Sequence, residues 1–196
     1  MASSPKPLLT KTWPEQGQWT YEDWERLPDD GLRYEVIDGV LHMSPPPNSA
    51  HQDVSSRLSY ALMHHVYTQN LGYVYAAPRG VLLPGQPVPV QPDLLFVRAE
   101  LRSIVGPQNV EGIPDLVVEI LSPGNWSYDR KEKFLLYQEA GVPEYWIVDP
   151  RLKTVEVFLL DDGEYVLTGE WGMGDVATSN VIAGFQVRVA DVFADL

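Results

Sequence analysis

Apolar residues recur along this chain at two periods, one typical of helices and one typical of strands. The helical period predicts three helices, over residues 21–27, 49–69 and 127–140. In the longest of them, Val54 and Leu58 stand four residues apart behind a polar cap at Ser49. The third begins at a predicted cap, Ser127, and is followed by Gly141, which suits the left-handed position after a helix. The helices are therefore well separated along the chain, with room for strands between them.

Between the helices, alternating or continuous apolar runs predict strands. A hairpin is predicted from residues 33–37 and 40–43, because Asp38-Gly39 suits a two-residue type I′ turn. Further strands are predicted over residues 73–76, 79–83, 91–97, 115–121, 144–148, 154–160, 164–168 and 184–189, the last followed by a short helix. Residues 98–113 have the composition of an irregular loop with one helical turn.

This order of elements predicts one α/β domain. Residues 115–121 are nearly continuous Leu, Val and Ile, as expected of a central strand buried on both faces. We expect a mixed central sheet flanked by helices, with extra β-hairpins, over residues 20–196. Residues 1–19 hold three prolines among polar residues, so we expect them to form a flexible N-terminal arm.

The composition supports a folded protein and narrows its chemistry. A hydrophobic content of 44% with 11% aromatic residues is typical of a globular chain and excludes general disorder. No apolar run approaches the length of a membrane span, and the first residues contain no apolar signal region. We therefore expect a cytoplasmic protein without a membrane partner. The absence of cysteine leaves oxygen and imidazole as metal ligands.

Two carboxylates lie on or beside strands that are otherwise apolar. Asp93 stands near the start of strand 91–97, and Glu119 stands within strand 115–121. An ionised carboxylate is costly to desolvate, so each must be protonated, paired with a cation or bound to a metal ion. Taken singly, Asp93 can instead bond backbone amides, and Glu119 can form a structural ion pair. Together, the two carboxylates suggest a divalent-metal phosphodiesterase site.

A lysine on the following helix can complete such a site. In a common nuclease arrangement the acid of the second strand is followed two residues later by lysine, but Leu121 occupies that position here. At 100° per residue, Lys133 shares an arc with Leu136, whereas Lys131 lies on the opposite side and should point to water. If that arc faces the sheet, Lys133 is the better candidate. The alternative for Lys133 is an exposed ion pair with Asp129, which would contribute only ~0.2–0.5 kcal/mol.

Several blocks occur in a characteristic order. They are Tyr34–Gly39, His51–Gln52, Gln91–Val97, Pro114–Pro123, Asp129–Lys133 and Tyr137–Pro150. A chain with these blocks resembles the Uma2-type restriction endonuclease family of the PD-(D/E)XK nuclease superfamily. The resemblance covers roughly residues 20–195. Members of this branch carry the lysine in the helix after the strand. The resemblance implies a restriction-endonuclease-like core and Mg²⁺-dependent hydrolysis of DNA, with Mn²⁺ able to substitute.

The resemblance also implies roles for five residues. Asp93 and Glu119 would hold one or two Mg²⁺ ions through oxygen. Lys133 would orient or deprotonate the attacking water, or stabilise charge on the phosphate. Glu35 would be a further acidic residue of the catalytic set, and His51 would contact substrate. Without the resemblance, Glu35 reads equally as the partner of a nearby arginine, and His51 as a surface or cap residue.

The net charge of −13 opposes a simple DNA-binding interpretation, because cations that meet phosphates supply most of the affinity for DNA. The lead hypothesis is a Mg²⁺-dependent DNA endonuclease, with a homodimer expected where two strands are cut. A second hypothesis is a catalytically silent binding or assembly protein, suggested by the charge, the missing strand lysine and the exposed aromatics Trp13 and Trp19. A third, a glycosidase with Asp93 and Glu119 as acid and base, does not require an inward lysine.

Overall fold

The computed structural model describes residues 13–122 and 129–196, apart from the side chains of residues 129 and 130. Within these residues the strands are β1 (Arg33–Ile37), β2 (Val40–Ser44), β3 (Gly72–Ala76), β4 (Gly80–Leu82), β5 (Leu94–Arg98), β6 (Asn109–Glu111), β7 (Leu116–Ile120), β8 (Glu144–Asp149), β9 (Thr154–Asp161), β10 (Glu164–Trp171), β11 (Val176–Thr178) and β12 (Gln186–Arg188). The helices are α1 (Tyr21–Glu25), α2 (Ser49–Thr68), α3 (Phe134–Ala140) and α4 (Val189–Val192). A 3₁₀ helix spans Ala99–Ile104, and a π-helical turn at Asp129–Lys133 leads directly into α3.

Six of these strands form the central sheet, in the order β10-β9-β8-β7-β5-β3. The β7–β8 pair is parallel and the other neighbours are antiparallel, so the sheet is mixed, as predicted. A parallel pair needs a crossover connection, and α3 lies in the segment that joins β7 to β8. All five residues of β7 are buried, which confirms the prediction of a central strand covered on both faces.

Each face of the sheet packs against its own apolar core. Leu58 of α2 belongs to the core on one face, and Leu136 of α3 belongs to the core on the other. Successive side chains of β7 alternate between the two, with Val118 on the α2 side and Val117 on the α3 side. Glu119 therefore points toward α3. This alternation places a carboxylate at the boundary between the sheet and the helix that follows it.

The helix α2 is the longest helix in the described part of the chain, with 20 residues. Its cap is Asn48, whose side-chain oxygen accepts a hydrogen bond from the backbone N–H of His51 at 2.9 Å, so the predicted cap at Ser49 is wrong by one residue. Both residues are good caps, and Asn48 is the one with the extended backbone of a cap position. The predicted cap at Ser127 lies outside the described residues. No described helix combines the length and the apolarity needed to cross a lipid bilayer.

Short strands outside the central sheet correct the prediction for residues 98–113 and the C-terminal part. Residues 98–113 contain the 3₁₀ helix and β6, which pairs in parallel with β4, so this segment is not an irregular loop. The strand β11 had no counterpart in the prediction, and it pairs with β12. Each of these strands has three residues, which is too short to show a period of two in the sequence.

The β1–β2 hairpin forms a separate two-stranded sheet beside the central one, with Asp38 and Gly39 both at positive φ as a type I′ turn requires. The backbone N–H groups of Gly17 and Trp19 donate to the carbonyl of Gly39 at 2.8 and 3.0 Å. Trp19 is buried, which corrects its prediction as an exposed aromatic. Residues 13–19 thus pack on the hairpin instead of forming a loose arm, and the rest of the predicted arm lies outside the described residues.

Candidate active site

The strand register brings the two predicted carboxylates together. The antiparallel strands β5 and β7 pair Leu94 with Val118, so the same register places Asp93 opposite Glu119 and on the same face of the sheet. Asp93 Oδ2 also accepts a hydrogen bond from the backbone N–H of Ile120 at 2.8 Å. Asp93 and Glu119 are only 4% and 1% exposed to solvent, so each needs partners that compensate for its lost hydration.

Lys133 is the cation that faces Glu119. Its Nζ lies 3.0 Å from Glu119 Oε1 and 3.2 Å from Glu35 Oε2, and the side chain is buried. Leu136 is buried on the same side of this helical segment, whereas Lys131 is exposed. The structure therefore places Lys133 inward and Lys131 outward, as the helical arc predicts. It adds Glu35, on the β1–β2 hairpin, as a second carboxylate in contact with the same ammonium group.

Tyr137 belongs to this cluster, although the sequence placed it only on the arc of Lys133 and in a family block and assigned it no role in the site. Its hydroxyl donates to Glu119 Oε1 at 2.8 Å, and the side chain is fully buried. Burial, together with the nearby charges of Glu119 and Glu35, raises the pKa of Tyr137 well above its ordinary value, so the phenol remains a donor. The available signal was its spacing, because residues four apart on a helix share a face and Lys133 stands four residues earlier.

Asp93 is held by two side chains from other elements. His51 Nε2 and Asp93 Oδ2 are hydrogen-bonded at 3.0 Å, so Nε2 carries the proton when the carboxylate is ionised. Arg33 donates from Nη1 to Asp93 Oδ1 at 3.3 Å. Burial alone would raise the pKa of Asp93, but the hydrogen bond and charge of His51 and the charge of Arg33 hold it below its ordinary value. Asp93 is accordingly a carboxylate at neutral pH.

Glu35 is held ionised in a similar way. Its Oε1 accepts the backbone N–H of Gln91 at 2.8 Å, and Arg33 Nη2 lies 4.0 Å from the same oxygen. Burial would raise the pKa of Glu35, but the charges of Lys133 and Arg33 hold it below its ordinary value. Arg33 was not predicted as a site residue. The signal for it is the period of a strand, since it stands two residues before Glu35 and so shares its face.

By formal charge this cluster is nearly balanced. Among the described side chains, three carboxylates, from Glu35, Asp93 and Glu119, surround two permanent cations, Arg33 and Lys133. One negative charge is left over when His51 is counted as neutral. A divalent cation would reverse this to one positive charge, which is opposite in sign to a phosphodiester group.

We expect the free protein to lose stability as the pH falls below about 4.5. In the unfolded chain Glu and Asp titrate near 4.3 and 3.9, and in the folded protein the pKa values of Glu35 and Asp93 are lower. The stability that these groups contribute is therefore present above their unfolded pKa values and is lost as pH falls through their folded ones. Thermal unfolding in EDTA should show the difference between wild type and Asp93→Asn shrinking from pH 7 to pH 3. A difference that stays constant over this range would contradict the assignment.

A groove of about 890 Å³ opens beside the cluster. Arg33, His51 and Asp93 form part of its wall, so three members of the charged cluster are accessible from this side. The rest of the wall comes from α1, the connections that flank β1 and β2, the first turns of α2, and the segments after β3 and before β5. The cluster thus combines buried charge with an open approach for a ligand, which is the usual setting of an active site.

The donor chemistry of Asp93 and Glu119 fits a hard divalent cation. Mg²⁺ takes oxygen ligands and is commonly bound by one or two carboxylates that leave several water ligands in place. Asp93 is held ionised, as such a ligand must be. Among the described residues, no group of three or more His, Asp or Glu side chains is arranged as a metal site. The fit accordingly rests on the two strand carboxylates.

Comparisons with known proteins agree with the fold. A family model described as "Uma2: Putative restriction endonuclease" matches residues 20–190. Among solved structures, the crystal structure of "a putative nuclease belonging to DUF820" from Anabaena variabilis is similar, with a TM-score of 0.71 and 18% sequence identity. The match covers 89% of this chain and 97% of the other, so the two share their fold over nearly their whole length. No match was found among curated proteins.

Proposed function

We propose that this chain, which belongs to the Uma2 restriction endonuclease family, is a cytoplasmic, Mg²⁺-dependent DNA endonuclease. One observation carries the proposal, namely that Lys133 contacts Glu119 while Asp93 stands opposite Glu119 on the neighbouring strand. Buried ion pairs are commonly no more stabilising than apolar packing, so a cluster of them is weakly explained by stability alone. Arg33, His51 and Asp93 of this cluster line a groove, which favours a chemical role.

Asp93 and Glu119 would hold the metal ion, and the other residues would hold these two in place. When bound, the ion would supply a water of lowered pKa and neutralise charge on the phosphate. Lys133 can donate hydrogen bonds to the attacking water or to a non-bridging phosphate oxygen. Glu35 keeps the Lys133 ammonium beside Glu119, and His51 fixes the orientation of the Asp93 carboxylate.

We expect the purified protein to hydrolyse DNA in Mg²⁺ or Mn²⁺ and to be inactive in EDTA. A second readout is independent of turnover. A ligand that binds the folded state raises the melting temperature, so Mg²⁺ should stabilise the wild type. The double variant Asp93→Asn/Glu119→Gln should show no such rise, and the single variant Asp115→Asn, in a structural pair with Arg98, should retain it. Metal that neither stabilises the wild type nor supports cleavage would rule out the proposal.

The second candidate function is a catalytically silent binding or assembly protein that retains the nuclease fold. The net charge of −13 favours it, as does Leu121 at the strand position where the usual pattern has lysine. Light scattering with and without DNA would reveal a stable homodimer and any non-catalytic complex. A glycosidase is less well supported, because Glu119 is engaged by both Lys133 and Tyr137 instead of facing an open cleft.

A further inference from the structure

The groove beside Asp93 has the dimensions of a pocket for one nucleotide. Ligand pockets commonly enclose roughly 300–1,000 Å³, and this groove encloses about 890 Å³. Trp24 and Tyr34 contribute aromatic rings to its wall, and Pro46 and Pro47 contribute flat apolar surface. The Trp24 ring is fixed, because its Nε1 donates to the Tyr34 carbonyl at 2.9 Å. Surfaces of this kind stack unpaired bases of any sequence.

The charges of the residues that line the groove argue against an intact DNA duplex as its ligand. Proteins that bind duplex DNA through several phosphates meet them with several Lys and Arg side chains. Among the described residues that line the groove, Arg33 is the one Lys or Arg, whereas Glu25, Asp29 and Asp93 are acidic. The groove can therefore neutralise one phosphate, but it would repel the closely spaced phosphates of two strands.

Arg33 has hydrogen-bonding capacity that the described protein does not use. Its Nη1 donates to Asp93 at 3.3 Å, while its Nε and Nη2 are buried and make no hydrogen bond. A quarter of its side chain is exposed. By contrast, Arg98 engages Asp115 through both its backbone and its side chain. Buried donors without a partner are costly, and the guanidinium fork matches a phosphate, so a phosphate that reached Arg33 from the groove would satisfy them.

We infer that the substrate is single-stranded DNA, with one nucleotide stacked in the groove and its phosphate held by Arg33. This inference rests on the proposed nuclease function and names its substrate class. The bound phosphate would lie beside Asp93, so the adjoining phosphodiester bond is the one presented for hydrolysis. A single strand needs one cut, and one copy of the chain can make it. The inference also accounts for an acidic protein that acts on DNA, since most of its surface need not contact the substrate.

The first test uses the wild-type protein with Mg²⁺ and three labelled substrates. They are an oligodeoxythymidine, a blunt duplex of two annealed complementary strands and that duplex with an unpaired flap. We expect the single strand and the flap to be cleaved at least about tenfold faster than the blunt duplex, since only unpaired bases can stack in the groove. Equal or faster cleavage of the blunt duplex would overturn the inference and leave the nuclease function standing.

A binding test separates the inference from catalysis. Fluorescence anisotropy with the Glu119→Gln variant should show at least about tenfold tighter binding of the oligodeoxythymidine than of the blunt two-stranded duplex. If no substrate is cleaved, the nuclease proposal fails, and this preference alone decides whether the groove binds a single strand. Equal affinity for the two probes would overturn the inference.

The role of Arg33 has a matched control in the same chain. Arg33→Lys keeps the charge but loses the fork, so we expect the Kd for the oligodeoxythymidine to rise about tenfold. Arg98→Lys, at a partly exposed arginine outside the groove, should leave this Kd unchanged. Melting temperatures of both variants establish that they are folded. An equal Kd in the two variants would remove Arg33 from the binding site.

Discussion

Glu119→Gln should lose on the order of 10³-fold in the rate of DNA cleavage while remaining folded. Glutamine keeps an oxygen that can accept the hydrogen bonds of Lys133 and Tyr137, so the cluster retains its packing. It removes the negative charge that would hold the metal ion. Metal-ion stabilisation of the transition state contributes several kcal/mol, which corresponds to a factor of roughly 10³ in rate. Single-turnover cleavage of labelled DNA measures this loss directly.

Asp93→Asn should have a similar effect, and the double variant should be little worse than either single one. Residues that act as a unit in catalysis show this lack of additivity. Glu164→Gln is the matched control, since Glu164 is an exposed glutamate on the β10 strand at the edge of the sheet. Wild-type rates in both Asp93→Asn and Glu119→Gln would exclude the proposed site.

The second large effect concerns stability. Lys133→Met should lower the free energy of unfolding by about 3 kcal/mol at neutral pH, because it removes a cation that faces two buried carboxylates. Methionine fills a similar volume, so the loss reports mainly on charge. Lys131→Met, on the exposed side of the same helical segment, should change stability by no more than about 0.5 kcal/mol.

Urea unfolding in EDTA distinguishes charge from packing. Without Lys133, Glu35 loses the charge that lowers its pKa, so the folded variant takes up protons more readily. The stability deficit of Lys133→Met should accordingly be largest at pH 7 and smaller near pH 4.5. Adding Glu35→Gln should recover part of the lost stability, because the double variant has one fewer buried charge without a partner. A deficit that neither acid nor Glu35→Gln reduces would mean that Lys133 acts only by packing.

The sequence predicts the central part of the site because its signals there are local. Glu119 stands out as an acid in an apolar strand, and the helical arc places Lys133 on the side that faces it. Arg33 and Tyr137 were harder to identify, since an arginine in a hairpin and a tyrosine in a helix are ordinary residues in those places. The contact of Arg33 with Asp93 depends on which surface the hairpin packs against, and the contact of Tyr137 with Glu119 depends on how α3 packs on the sheet. That packing is a long-range property that local periodicity does not encode.

The short strands show the same difference between local and long-range signals. Strands in the central sheet were long enough to show their period or their apolar content, and the predicted fold class is confirmed. The pairing of β4 with β6 joins three-residue segments nearly thirty positions apart, and only β4 lies within a predicted strand, residues 79–83. Such pairs form because the central sheet brings their ends together, so they follow from the fold and are not evident before it.

The hairpin that carries Arg33 and Glu35 pairs only with itself, yet both residues face partners far along the chain. Arg33 and Asp93 are 60 positions apart, and the lysine that faces Glu35 is more distant still. Contacts of such separation carry the largest loop-closure entropy and are expected to form late in folding. A half-folded chain would therefore keep Arg33 away from Asp93 and Lys133 away from Glu35. The complete charged cluster would form only in the finished fold.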